Sequence, residues 1–398
     1  MFTQVRLLRH KLHTMSLHMS RIMRPDDANV AGRVHGGTAL RMIEEAGVIA
    51  STRHCNSQPG HENCVSALVR VERTDFLSPM LIGEVAHVSA SVTYTAHHSL
   101  EVQAVVTAEN LLNGNKRLTN KASLWYVPLS VKSPDKVLPV PPMPYGCKEE
   151  EEEGRIRYET QKHDRSQQQQ CPSFIFSPTT DPEMHTVACS QSSLIHLVGP
   201  SDCAIHGFVQ GGVTMKLMDE VAGIVAVRHC KSNVVTACVD AMNFHRKLKL
   251  AVFQEQELGP SGMAQAPRHT PGTPTQSDEV HLPIPSVVEL AGTLLSVTGR
   301  LTFTSQRSME VEVAVEADTL VDRVIGNGST MVAENTEGSQ RFCAVSAYFT
   351  LISLSSDGKP KPVPQLKLET EDEKKRFEEG KARYLQSKAK REAQKGSA

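Results

Sequence analysis

At 398 residues the chain is longer than a single hydrophobic core commonly serves, so two domains plus connecting segments are expected. Apolar residues supply 39%, charged residues 22%, and the formal net charge is -1, which leaves no bulk attraction for nucleic acid or an anionic membrane surface. The 9 cysteines contain no C-x-x-C pair, which argues against a disulfide framework or structural zinc, and no apolar run approaches the roughly 20 residues of a membrane span.

Residues 1–16 read as a basic leader. Arg6, Arg9, Lys11, Arg21 and Arg24 precede the first acidic residue, Asp26. That composition is weakly reminiscent of a mitochondrial transit peptide, while the plainer reading is a leader on a cytoplasmic protein. Residues 17–130 form the first domain, in which a Gly36-Gly37 start opens a helix over 38–52. Leu40, Ile43, Ala46 and Gly47 recur there at helical spacing. Alternating strands follow at 65–71, 85–94, 100–108 and 123–128, with His97-His98 in a hairpin turn.

Residues 131–172 are linker, Pro-rich over 137–144, acidic over 149–153 and Gln-rich over 167–170. A helix over 148–162 is expected there with its faces in solvent. Residues 173–356 form the second domain, with a helix over 213–227 carrying Leu217, Met218, Val221 and Ile224. Two insertions near 251–290 and 322–340 are polar, Gly/Pro-rich and expected to be disordered. The tail, 357–398, alternates acid and base over 369–395 and is expected to be an exposed helix.

The two domains are copies of one unit, and that decides the architecture. Gly32-Arg33-Val34-His35-Gly36-Gly37 recurs as Gly207-Phe208-Val209-Gln210-Gly211-Gly212. At the same offset Glu45, Ile49 and Arg53-His54-Cys55 recur as Glu220, Ile224 and Arg228-His229-Cys230. Thr93-Tyr94-Thr95 matches Thr302-Phe303-Thr304 in a register shifted by the insertion. Helices so apolar around their circumference belong inside a curved antiparallel sheet, which makes each unit α+β.

Asp27-Ala28-Asn29, Gly32, His35-Gly36-Gly37 and Met218-Asp219-Glu220-Val221-Ala222-Gly223 resemble the signatures of the hotdog-fold acyl-CoA thioesterases. The whole layout is similar to the vertebrate cytosolic long-chain members with tandem domains. The resemblance implies two hotdog domains paired as a dimer pairs, and assembly of such subunits into a trimer, a hexameric arrangement of hotdog units. It also implies a fatty acyl-CoA substrate lying in the seam between domains, with no cofactor beyond the coenzyme A that the substrate itself carries, and no metal.

In register, Asn29 matches Ala204 and Asp219 matches Glu44, so each copy keeps one half of the family's pair. Asn29 and Asp219 are therefore expected to complete one site across the seam, while Glu44 and Ala204 form a degenerate one. Asp219 would be ionised at neutral pH and could activate water or attack directly, and residue type alone does not separate the two. Asn29 offers a donor and an acceptor, and Gly36 and Gly37 offer amides at a helix start to the oxyanion. His35 is a supporting residue beside the substrate, since its counterpart is Gln210.

Blander readings compete. Asn29 could be only a helix cap, Asp219 the partner of a buried arginine, and the glycine pairs a packing device. Arg53 and Arg228 are read as ligands of helix-terminal carbonyls in preference to CoA phosphates. His54-Cys55 and His229-Cys230 point apart on a helix and do not form Cys-His pairs. A non-catalytic acyl-CoA-binding protein is the principal alternative, and a dehydratase using His61 a weaker one.

Overall fold

The computed structural model describes residues 16–29, 32–60, 62–133, 135–167, 183–204, 207–245, 251–252, 290–291, 293–319 and 341–396. Nearly all of the leader, His61, and most of the Gln run and of both insertions lie outside the described residues.

The first unit runs β1 (Leu17–Ile22), α1 (Gly36–Cys55), β2 (Cys64–Val71), β3 (Thr74–Phe76), β4 (Val85–Thr95), β5 (Leu100–Glu109) and β6 (Lys116–Ser130). After α2 (Lys148–Gln167) and the short α3 (Val187–Ser190) the pattern returns as β7 (Ser192–Leu197), α4 (Gly211–Cys230), β8 (Asn233–Val239) and β9 (Met242–Phe244). A two-residue ladder, β10 (Ala251–Val252) with β11 (Leu290–Ala291), precedes the long strands β12 (Thr293–Thr304), β13 (Ser308–Thr319) and β14 (Phe342–Leu354), and α5 (Glu371–Gly396) ends the described chain. Among the described residues no helix is long and apolar enough to cross a membrane.

Each unit is an antiparallel sheet curled around one helix, as expected for a hotdog domain. The α1 side chains Leu40, Met42, Ile43 and Ala46 are buried against β2, β4, β5 and β6. The α4 side chains Met215, Met218, Val221, Ala222 and Val225 are buried in the same way against β12, β13 and β14. The two sheets join through β2–β9 and β3–β8 into one twelve-stranded sheet whose main path runs β1-β4-β5-β6-β2-β9-β14-β13-β12-β7, with β3 beside β6 and β8 beside β14 off that path. Buried Arg70 pins that join, its Nη1 donating to Asn243 Oδ1 at 2.6 Å and its Nε to Glu72 Oε1 at 2.6 Å.

Inside the sheet the two helices lie against each other, and glycine is what lets them approach. A Cβ on Gly37 would stand 2.8 Å from Lys216 Cα, and one on Gly212 would stand 2.9 Å from Arg41 Cα. These contacts are reciprocal, so a pseudo-twofold axis passes between α1 and α4 and generates two equivalent seams.

Two helices differ from expectation. Neither α2 nor α5 is merely solvated, because each docks on the outer face of a sheet. On α2, Tyr158 packs against Tyr94 and Trp125, and Arg157 Nη2 donates to buried Glu101 at 2.8 Å. On α5, Phe377 and Tyr384 pack on Phe303, and Arg383 Nη2 reaches Glu310 at 2.7 Å. The buried glutamates on those strands require such partners, which charge alternation alone does not reveal.

Candidate active site

The loop that carries Asn29 follows a 3₁₀ turn over Pro25–Asp27, whose Asp27 carboxylate accepts from Arg24 N and from Arg21 Nη2. Asn29 N donates to Arg33 O at 2.8 Å, and Asn29 Oδ1 accepts from Arg33 N at 3.1 Å. Gly32 closes this loop with φ 72°, a left-handed conformation in which glycine is favoured. Asn29 is thus no cap of α1, whose N-cap position is held by His35.

Asp219 lies in the third turn of α4, 3% exposed. Its Oδ2 accepts from Gly37 N at 2.7 Å across the helix pair, and its Oδ1 accepts from Thr236 Oγ1 on β8 at 2.6 Å. Burial raises its carboxyl above the ordinary aspartate range, opposed by the Thr236 and Gly37 hydrogen bonds and by the charge of His35. The carboxylate therefore sits in low dielectric, paired with two donors and with no arginine, which sets aside its reading as an arginine's partner.

Asn29 and Asp219 line one cavity of about 660 Å³, together with Ala28, Val34, His35, Gly36, Glu220, Gly223 and Thr236, and with Ile224, Val227, Arg228, Asn233, Val234, Val235 and Leu351. One residue from each unit thus lines a common cavity at the seam. The Gly37 amide, expected to face an oxyanion, is a correction to that reading, because its hydrogen is already directed at Asp219. Of the glycine pair only Gly36 lines the cavity, and a Cβ there would meet Asp219 Oδ1 and Thr236 Cβ, each at 3.0 Å. Arg228 is likewise revised. Its Nη1 donates to Gln191 O and Ser192 Oγ, both at 3.1 Å, so it clamps the chain entering β7 and does not cap its own helix.

The opposite seam holds a smaller cavity of about 260 Å³, lined by Glu44, Ala204, Gln210, Gly211 and Leu68 among others. Glu44 is 3% exposed, and burial lifts its carboxyl to about 7, against the opposing Gly212 amide. A carboxyl is retained there, but Ala204 and Leu68 stand where the other seam has Asn29 and Thr236.

Thr236 is the residue that sequence reasoning missed. It stands opposite Leu351 as Leu68 stands opposite Tyr126, and Gly36 faces Thr236 as Gly211 faces Leu68. A threonine in one copy thus replaces a leucine in the other. The constant repeat offset ends at the helices, because the loop over 56–63 is longer than that over 231–232. Aligning the two strands after removing that loop would have exposed it.

Comparison with known proteins places this architecture. Residues 31–113 and 206–253 match the family model of the thioesterase superfamily. The cytosolic acyl coenzyme A thioester hydrolase of Rattus norvegicus is 58% identical over 374 residues, spanning 94% of this chain and 84% of that protein. The chain belongs to the thioesterase superfamily, among the cytosolic acyl coenzyme A thioester hydrolases. The Homo sapiens member of that family is 58% identical over 372 residues, spanning 94% of this chain and 83% of that one. A solved acyl-CoA hydrolase variant from Staphylococcus aureus in complex with coenzyme A aligns at 24% identity with a TM-score of 0.37, covering 55% of this chain and 96% of that chain.

Proposed function

We propose that the chain hydrolyses medium- to long-chain fatty acyl-CoA thioesters to fatty acid and coenzyme A at the seam where Asn29, Asp219 and Thr236 share a cavity. The observation that carries the reading is a buried carboxylate, held by two donors, that shares one cavity with a carboxamide from the other unit and with a run of aliphatic side chains.

In this mechanism Asp219 takes a proton from a water molecule, whose oxygen attacks the thioester carbonyl. The carbonyl π electrons move to oxygen, and the oxyanion is met by the Asn29 amide and by the N–H at Gly36, with the dipole of α1 behind it. Collapse breaks the carbon–sulfur bond and the thiolate leaves as coenzyme A, taking back a proton. Gly37 and Thr236 are positioning groups that keep both carboxylate oxygens aimed. The chemistry calls for no resident cofactor.

Steady-state thiol release from the purified full chain, measured across acyl-CoA chain lengths, tests the reading, and failure to hydrolyse any of them overturns it. A Thr236→Val variant is expected to lower turnover at neutral pH about 10-fold, the worth of one hydrogen bond to a charged group. Because that bond lowers the Asp219 pKa, its loss should also move the acid limb of the pH–rate profile upward. An unmoved limb would remove Thr236 from the site. The subunits are proposed to assemble as a homotrimer in the cytosol. Light scattering after gel filtration tests the assembly, and imaging the tagged full chain distinguishes cytosol from mitochondrion.

A further inference from the structure

We propose that Gly223 is the aperture through which the acyl chain passes, its absent side chain setting which chain lengths are accepted. This deepens the function proposed above and rests on it.

Gly223 lies in the interior of α4, where glycine weakens a helix and needs a reason. Two ordinary reasons are absent. Its φ is not positive, and beyond its own helix a Cβ would meet nothing within 4 Å. Its neighbour in the pseudo-symmetric scheme makes the contrast. Gly47 on α1 is glycine because a Cβ there would collide with the Tyr126 hydroxyl, whereas the equivalent position on α4 is Ala222. Protein packing thus explains Gly47 and leaves Gly223 unexplained. What borders Gly223 is the cavity.

The counterpart of Gly223 on α1 is Val48, which lines the opposite seam. The cavity bordered by the glycine measures about 660 Å³, and the one bordered by the valine about 260 Å³. Gly223 comes one turn after Asp219, about 6 Å along the helix axis. A substrate whose carbonyl stands at Asp219 and runs along α4 therefore crosses Gly223 beyond the reach of a two- to four-carbon acyl group. Beyond it, Ile224 and Val227 are 45% and 43% exposed, unusual for aliphatic side chains on a central helix, and they continue the wall with Val234, Val235 and Leu351. Arg228 and Asn233 also line the cavity, but the aliphatic stretch itself fits an alkyl chain better than the amide-bearing arm of coenzyme A, whose polar groups it could not pair.

The test is a chain-length series of acyl-CoA substrates with wild type, Gly223→Ala and Gly223→Val. Filling a site by one or more methyl groups should lower kcat/KM for palmitoyl-CoA about 10- to 100-fold in the valine variant, with a smaller loss in the alanine variant. Acetyl- and butyryl-CoA, whose acyl groups end before or near Gly223, should lose least. The alanine variant should melt about 2–4 °C higher, because its helix is more favourable, which separates occlusion from misfolding. Unchanged chain-length profiles in both variants overturn the aperture. Equal losses at every length, with weakened inhibition by free coenzyme A, overturn the acyl assignment and place the coenzyme arm there. A wild-type protein that hydrolyses no acyl-CoA defeats the underlying function and leaves the variants to be read by acyl-CoA binding alone, where undiminished palmitoyl-CoA binding by Gly223→Val overturns the aperture.

Discussion

Asp219→Asn is expected to leave the protein folded and to reduce turnover by about 1000-fold, the scale of a lost general base. The substitution nearly preserves shape. The new carboxamide oxygen can accept from Gly37 N, and the new NH₂ can donate to the Thr236 hydroxyl, which then acts as acceptor, so both tethers of the present carboxylate have replacements. What vanishes is the capacity to take a proton. Asn29→Ala should cost about 100-fold, the worth of one oxyanion donor. Glu44→Gln should leave turnover essentially unchanged, because its seam offers Ala204 and Leu68 where the other offers Asn29 and Thr236. Thiol release, with thermal melts as the folding control, reads all three. Equal losses at Asp219 and Glu44 would mean that both seams work, and the one-site mechanism would fall. Since burial raises the Asp219 carboxyl, the acid limb of the wild-type profile should lie above the ordinary carboxylate range.

The part of this molecule that could be read beforehand is the part governed by local pattern and by the repeat. Helices apolar all round had to be wrapped, and two copies of the same Gly-Gly helix start implied a pseudo-twofold seam. From that symmetry alone, Asn29 and Asp219 come to one cavity and Glu44 and Ala204 to the other. What was not legible depends on contacts remote in sequence. The β3 strand has three residues and no period to detect, and it exists because it bridges β6 and β8. The docking of α2 is specified by Glu101, which is buried in a strand and needs Arg157. The Gly37 amide looked available because a helix start has free donors, yet the carboxylate that takes it comes from the other unit. Thr236 was hidden by a loop that differs between the copies.

Glu44 offers a second large effect, on stability. In the folded protein its carboxyl holds a proton up to about pH 7, against a reference of 4.5, because burial penalises the charged form. The unfolded chain releases that proton from about 4.5 upward, so between the two values the folded state binds the extra proton. Stability therefore falls as pH rises through this window and levels off above it. At pH 8 the ionised Glu44 should cost about 3 kcal/mol relative to a neutral group in the same place. Gln at this position keeps an acceptor for the Gly212 amide and never charges. Glu44→Gln is accordingly expected to match wild type in urea unfolding near pH 4.5 and to exceed it by about 3 kcal/mol at pH 8. The gap should open between those limits while thiol release stays unchanged. Parallel stability curves across the range would show that Glu44 ionises as it does in water, and hence that the smaller seam is hydrated. A gap of the expected size would show instead that this seam keeps a buried acid with no chemistry to perform.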